Sequence, residues 1–134
     1  MKEIGIGIIG GGYMGKAHAV AMSAVGAVFD TNLRPRLEMV CGSSPETSRK
    51  YCKAYGFRRA ADTWEQLVTD AKVQAVIIAS PQSTHLKIAL KALNLGKPVF
   101  CEKPLGINVQ DGKKMVAAAE QSGVVNMIGF NYIR

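Results

Sequence analysis

Gly10, Gly12 and Gly15 form a G-x-G-x-x-G motif that follows the apolar run Ile4 to Ile9 and precedes Met14, Ala17, Val20, Ala21 and Ala24 at helical spacing. In that setting each glycine has its own task. Gly10 permits a tight turn off a strand, Gly12 lets backbone N–H groups approach a diphosphate, and Gly15 lets a helix sit close on a sheet. The free amides and the positive end of the helix dipole then suit an anion, so the chemistry predicted here is dinucleotide binding. The plainer alternative is a strand-to-helix turn with no ligand. It is the surrounding strand and helix, more than the motif itself, that favour a site.

Further polar groups are spaced along the chain: Gly42-Ser43-Ser44, Ser80 to His85, Glu102-Lys103-Pro104, and Asn131 to Arg134. The elements between them read as strand and helix in alternation. A helix is expected over Tyr13 to Val25, then an irregular stretch from Gly26 to Arg36 and a strand from Leu37 to Cys41. Ser44 as N-cap with Pro45 behind it opens a helix to about Tyr55, stopped by Gly56. Phe57 to Arg59 reads as a short strand, and Asp62 or Thr63 caps a short helix ending near Asp70. Ala75 to Ala79 has no polar alternation, which predicts a strand covered on both faces. Leu86, Ala89, Leu90 and Leu93 mark an amphipathic helix ended by Gly96, and Pro98 to Cys101 reads as a fifth strand. Asn108 caps a last helix, with Met115, Val116 and Ala119 expected inward, before Gly123 and a strand from Val124 to Ile128. This alternation predicts one α/β domain over residues 1–134, a doubly wound parallel sheet whose ligands bind beyond the carboxyl ends of its strands. Every polar group falls just after a strand, so all of them converge on one edge.

Composition narrows the function classes. The 134 residues, 48% of them hydrophobic, suffice for one core. No apolar run approaches a membrane span, and Met1-Lys2-Glu3 leads directly into a strand, so a cytoplasmic protein without a membrane partner is expected. Cys41, Cys52 and Cys101 are an odd number without C-x-x-C spacing, which predicts packed thiols and no metal site. The net charge of +7 is scattered, with no basic stripe carrying interleaved aromatics, so nucleic acid is not expected as a partner. No G-K-[ST] follows the glycines, which disfavours a P-loop ATPase.

Four segments together resemble the amino-terminal domain of the Gfo/Idh/MocA oxidoreductases: Gly10 to His18, Ser80 to His85, Gly96 to Leu105, and Gly129 to Tyr132. The Glu102-Lys103-Pro104 element is the most specific of these, since ordinary NAD-binding domains lack it. The resemblance implies hydride transfer between a nicotinamide and a sugar, cyclitol or related hydroxyl or carbonyl compound, the cofactor carrying the chemistry. It implies that Lys103 is catalytic, beside the nicotinamide and the reacting hydroxyl, and that Glu102 orients the cofactor or Lys103. It also implies that Gly10, Gly12, Tyr13, Met14, Gly15, Ser80, Pro81, Gln82, His85 and Asn131 border the cofactor, with Arg134 at the substrate rim. His18 is expected to hydrogen-bond a neighbouring loop, and His85 to brace the Ser80-Pro81-Gln82 turn. Pro104 in such proteins is associated with a cis bond.

Cofactor choice turns on the end of the second strand, where an acid accepts hydrogen bonds from the adenosine ribose of NAD. No acid stands there. Ser43, Ser44 and Arg49 instead suit a 2′-phosphate, which favours NADP(H) over NAD(H). The alternative makes Ser44 only an N-cap and Arg49 only a solvated helix residue. Full-length members of the family continue into a second α+β domain that carries most substrate contacts and usually the homo-oligomer interface. This chain is therefore expected to be a cofactor half, inactive alone. A stand-alone nucleotide-binding or redox-sensing module is the alternative function. A methyltransferase is disfavoured, because it has no use for Glu102-Lys103-Pro104.

Overall fold

The computed structural model describes residues 1–131. Six strands form one sheet in the order 3-2-1-4-5-6, every neighbouring pair parallel. They are β1 (Lys2–Ile9), β2 (Leu33–Cys41), β3 (Arg59–Ala60), β4 (Ala75–Ile78), β5 (Val99–Glu102) and β6 (Asn126–Gly129). Between them run α1 (Tyr13–Val28), α2 (Pro45–Tyr55), α3 (Trp64–Thr69), α4 (His85–Asn94) and α5 (Val109–Ser122), with a 3-10 turn over Gln82–Thr84 leading into α4. The chain order reverses between β1 and β4, and this is the switch point at which sheets of this kind bind ligands.

The unbroken apolar strands have two faces to fill. Ile9, Met39 and Ile78 join Leu67, Ile88, Leu93 and Met115 in the core beneath α3, α4 and α5. Their chain neighbours Ile8, Val40 and Ile77 join Ala19 and Phe57 in the core beneath α1 and α2. Residue by residue, the central strands feed both layers, as a doubly covered parallel sheet requires.

Three local expectations are corrected. The irregular stretch expected over residues 26–36 shrinks to a short link, because α1 continues to Val28 and β2 begins at Leu33. Pro35 is tolerated in β2 because β3 pairs only with Met39 and Val40, which leaves an open edge beside the proline. In α1, Gly15 and Ala19 are buried while Val20 is 62% exposed, so the small residues form the inner stripe. Val116, expected inward on α5, is 47% exposed, because Met115 takes the inward position one residue earlier.

β2 slips register against β1 at Glu38, between the pairs Ile6 with Leu37 and Gly7 with Met39. The Glu38 carboxylate is buried and held by Arg36 Nε at 2.8 Å and by the Arg59 guanidinium at 2.7 Å. Burial alone pushes that carboxyl up, but the two arginines together hold it below its usual range. Arg59 then forks onto Asp70 with two bonds of 2.7 Å, tying β3 to the end of α3. This network fixes the sheet edge from which the β3–α3 turn projects.

Candidate functional site

The glycine turn separates two kinds of constraint. Gly10 has φ +96°, and a Cβ on Gly15 would stand 1.9 Å from the Gly10 carbonyl oxygen, so the fold itself needs both. Gly11 is covered by Tyr51, and the Tyr55 hydroxyl donates to the Gly11 carbonyl at 2.7 Å. A Cβ on Gly12 would meet nothing within 4 Å. Packing therefore does not require glycine at position 12, whereas a ligand pressed against the backbone does. Gly12 is also the N-cap of α1 and supplies no side-chain acceptor, while Ser44, Thr63 and Asn108 cap α2, α3 and α5. The first turn of α1 contains no acidic residue, which leaves its amides and dipole for an external anion.

Two clefts flank this turn. One, of about 730 Å³, is lined by Gly10 to Gly12, by Cys41 to Ser43 after β2, by Asp62 to Glu65 after β3, and by Ser80 and Pro81 after β4. The other, of about 740 Å³, is lined by Met14, His18, Ser80, Gln82, His85, Glu102, Lys103 and Asn131. Ala79 and Ser80 border both, so the two lie end to end across the switch point. The shape suits one elongated ligand with a distinct group at each end. Cys41 contributes no reactive thiolate to it, because burial pushes its thiol up to about 11.

At the second cleft the backbone is braced from several sides. Glu102 is buried at the end of β5; Oε1 lies 2.7 Å from His18 Nε2, and Oε2 accepts the Lys103 backbone N–H at 3.3 Å. Gly129 on β6 makes room for this carboxylate, since a Cβ there would stand 3.0 Å from Oε2. His85 is 1% exposed, with Nδ1 3.0 Å from the Pro104 carbonyl oxygen and Nε2 2.9 Å from that of Ser80. It thereby joins the loop after β4 to the loop after β5. The Gln82 side-chain amide donates to the Gly106 carbonyl and adds a second tie between the same loops. The Lys103–Pro104 bond is cis. Lys103 itself is exposed, and among the described residues its ammonium has no hydrogen-bond or ion-pair partner.

Most of the residues singled out from sequence meet here. Gly10, Gly12, Ser43, Ser80 and Pro81 line the first cleft, and Met14, Ser80, Gln82, His85, Glu102, Lys103 and Asn131 line the second. Four do not line either. The Tyr13 side chain is 88% exposed, Gly15 packs against Gly10, and the Ser44 hydroxyl is taken up by the Thr47 backbone N–H and hydroxyl. Arg49 is exposed outside both clefts, because α2 turns Ser48 inward, where its hydroxyl accepts the Gly42 N–H at 2.8 Å. Arg134 lies outside the described residues. Asp62, Trp64 and Glu65 went unread as cleft residues. Their only sequence signal is their place after a strand, and β3 is two residues long.

The profile of the oxidoreductase family with an NAD-binding Rossmann fold, GFO_IDH_MocA, matches residues 4–130. Levoglucosan dehydrogenase from Pseudarthrobacter phenanthrenivorans is 33% identical over all of this chain, which covers 35% of that protein. Glucose-6-phosphate 3-dehydrogenase from Bacillus subtilis is 33% identical over 98% of the chain, which covers 34% of it. The solved complex of levoglucosan dehydrogenase with NADH superposes with a TM-score of 0.95 at 32% identity, over 98% of this chain and 36% of that one. The chain thus spans about a third of the length of these relatives. Among the described residues no helix is long and apolar enough to cross a membrane. With that profile matched over residues 4–130 and a relative 33% identical over the whole chain, the chain belongs to the Gfo/Idh/MocA oxidoreductase family and carries its NAD-binding Rossmann domain.

Proposed function

We propose that this chain is the cofactor-binding part of an oxidoreductase that moves hydride between a nicotinamide and a hydroxyl or carbonyl carbon of a sugar, cyclitol or similar polyol. The observation that carries this reading is the pair of clefts meeting at Ser80, with the uncapped glycine turn at their junction and a partnerless lysine in the second. The residues present fit a dinucleotide: Gly12 leaves room against the backbone, and the first turn of α1 offers amides to a diphosphate. When bound, the nicotinamide supplies or accepts the hydride.

The chain's own residues bind, orient and polarise the reacting oxygen. Ser80 and Pro81 form the shared wall, and His85 locks that wall to the Pro104 loop. Glu102, fixed by His18, holds the Lys103 backbone in register with β5. The Lys103 ammonium donates a hydrogen bond to the substrate oxygen and stabilises the negative charge that develops there as the hydroxyl proton leaves for an acceptor beyond this chain; in the reverse direction that same acceptor returns the proton. In this reading the substrate contacts and a proton acceptor opposite Lys103 come from residues beyond this chain, and the longer protein is a cytoplasmic homo-oligomer. The related sugar and inositol dehydrogenases, all about three times as long, support a substrate-binding part beyond this chain.

Of the two nicotinamide dinucleotides we take NAD(H) as the cofactor. Of Ser43, Ser44 and Arg49, which favour NADP(H), only Ser43 lines the cleft; the Ser44 hydroxyl is engaged by Thr47, and the cation that a 2′-phosphate needs, Arg49, stands outside it. Levoglucosan dehydrogenase, a relative solved in complex with NADH, supports the choice. The test is turnover in the longer protein. Lys103→Met is expected to lower kcat by about a hundredfold or more while leaving the Kd for NADH within twofold. Undiminished turnover removes Lys103 from the mechanism.

A further inference from the structure

Resting on the reading of the two clefts as a dinucleotide site, we propose that Asp62 and Glu65, in the turn from β3 into α3, select an adenosine with a free 2′,3′-diol and reject a 2′-phosphate. They take over a task that β2 cannot perform. After β2 come Gly42, Ser43 and Ser44, without an acid. Glu38, on β2 itself, is buried between two arginines, and Glu46 does not line the cleft. The acids that do line it come from the neighbouring strand.

Asp62 and Glu65 border the same cleft as Gly12 and Ser43. Their field reaches the end of β2: besides burial, which dominates, both carboxylates push the Cys41 thiol upward. Among the described residues no lysine or arginine lines this cleft, although the chain has 17 basic residues against 10 acidic ones. The described cleft lining thus holds two carboxylates and no cation; Lys87 stands beside it, its Nζ 5.8 Å from the centroid of the Trp64 ring.

The turn that carries them is held in place. The Asp62 backbone N–H donates to Gln66 Oε1 at 2.7 Å, and the Thr63 hydroxyl accepts the Gln66 N–H at 3.2 Å. Trp64 packs between them against the core of the α3–α4 layer. A carboxylate in such a turn accepts hydrogen bonds from ribose hydroxyls, which favours the diol. A 2′-phosphate removes one of those donors and adds a charge of about −2, so attraction and repulsion act in the same direction.

Trp64 is the single tryptophan of the chain and lines this cleft, so its fluorescence reports occupancy without any turnover. The chain is titrated with NADH, NADPH, ADP-ribose and 2′-phospho-ADP-ribose, with calorimetry as a second readout. The unphosphorylated member of each pair is expected to bind about tenfold or more tighter, a factor equivalent to about 1.4 kcal/mol. Asp62→Asn with Glu65→Gln, both exposed sites, is expected to close that ratio by about tenfold with an unchanged melting temperature. An unaltered ratio in the double variant, or a wild-type preference for the phosphorylated ligands, overturns the inference while the dinucleotide site stands. Failure of all four ligands to bind overturns the site reading itself.

Discussion

Gly12→Ser separates a glycine kept for a ligand from one kept for the fold. Position 12 has φ −70° and ψ −156°, an extended conformation open to any L-residue, and a Cβ there touches nothing within 4 Å. Serine is also a better N-cap than glycine by a few tenths of a kcal/mol, roughly a degree in melting temperature for a domain of this size. The free fold is therefore expected to be unchanged or slightly more stable. Binding moves the other way, because the new side chain stands where the diphosphate approaches and its hydroxyl occupies the same first-turn amides. Losing one or two charge-assisted hydrogen bonds costs about 1.5–3 kcal/mol, roughly a ten- to hundredfold loss of NADH affinity. Trp64 fluorescence titration and a thermal melt read the two quantities on one sample. Gly15→Ala is the control: its Cβ would stand 1.9 Å from the Gly10 carbonyl, so it must lower the melting temperature. If Gly12→Ser binds NADH as tightly as the wild type, the diphosphate does not rest on this turn, and the site assignment fails.

Two further outcomes test the braces. The Asp70 carboxyl, held at about 2 mainly by its hydrogen bonds from Arg59 against an unfolded value near 3.8, contributes stability that is present above pH 3.8 and lost as pH falls through about 2. The full effect is about 2 kcal/mol at most, so Asp70→Asn should lower stability at pH 7 and flatten the acid limb of a denaturation series. An acid limb that keeps its slope in this variant places the titrating group elsewhere. His18→Ala leaves the buried Glu102 carboxylate with only the Lys103 backbone N–H, at a cost of about 1–3 kcal/mol. In a double-mutant cycle with Glu102→Gln the two changes should couple by about 1 kcal/mol, measured by chemical denaturation. Additive losses would mean that the 2.7 Å contact contributes no net stability.

The parallel sheet was legible because its signals are local: apolar runs such as Ala75 to Ala79, capping residues such as Asn108, and glycines such as Gly56, Gly96 and Gly123, all of which adopt positive φ. The start of β2 was not. Leu33-Arg34-Pro35-Arg36 reads as a loop, and only pairing with Lys2 to Gly5 makes it a strand. The inward stripe of α1 was illegible for another reason, since the helix is apolar nearly all round and spacing cannot choose between Val20 and Ala19. At the site, the glycine turn and Ser80 were legible because they follow strong strands, and Glu102 and Lys103 because the Glu102-Lys103-Pro104 element resembles that of the family. Arg49 stands outside the cleft because a one-residue step rotates a helix by about 100°, and Ser48 takes the inward position. Asp62 and Glu65 follow a strand too short to punctuate the sequence, so only the folded chain sets them beside β2.

The residues around the clefts divide according to whether their polar groups are already satisfied. Glu102 has His18 and the Lys103 amide, His85 has carbonyls of two loops, and the Tyr55 hydroxyl has Gly11. These groups cannot turn to a ligand without abandoning a buried or half-buried partner, so their contribution is to hold backbone in place. The uncapped first turn of α1, the Lys103 ammonium, and the Asp62 and Glu65 carboxylates are different, because no described side chain occupies them. Spread along the edge of one sheet, they offer backbone amides at the centre, an ammonium at one end and carboxylates at the other, which in the proposed reading serve a diphosphate, the reacting oxygen and a ribose diol. That order matches a nicotinamide adenine dinucleotide lying across the switch point, and reversing it would set the carboxylates beside the reacting oxygen, where negative charge develops. In the proposed reading, the polarity of the cofactor follows from which groups the fold leaves unpaired.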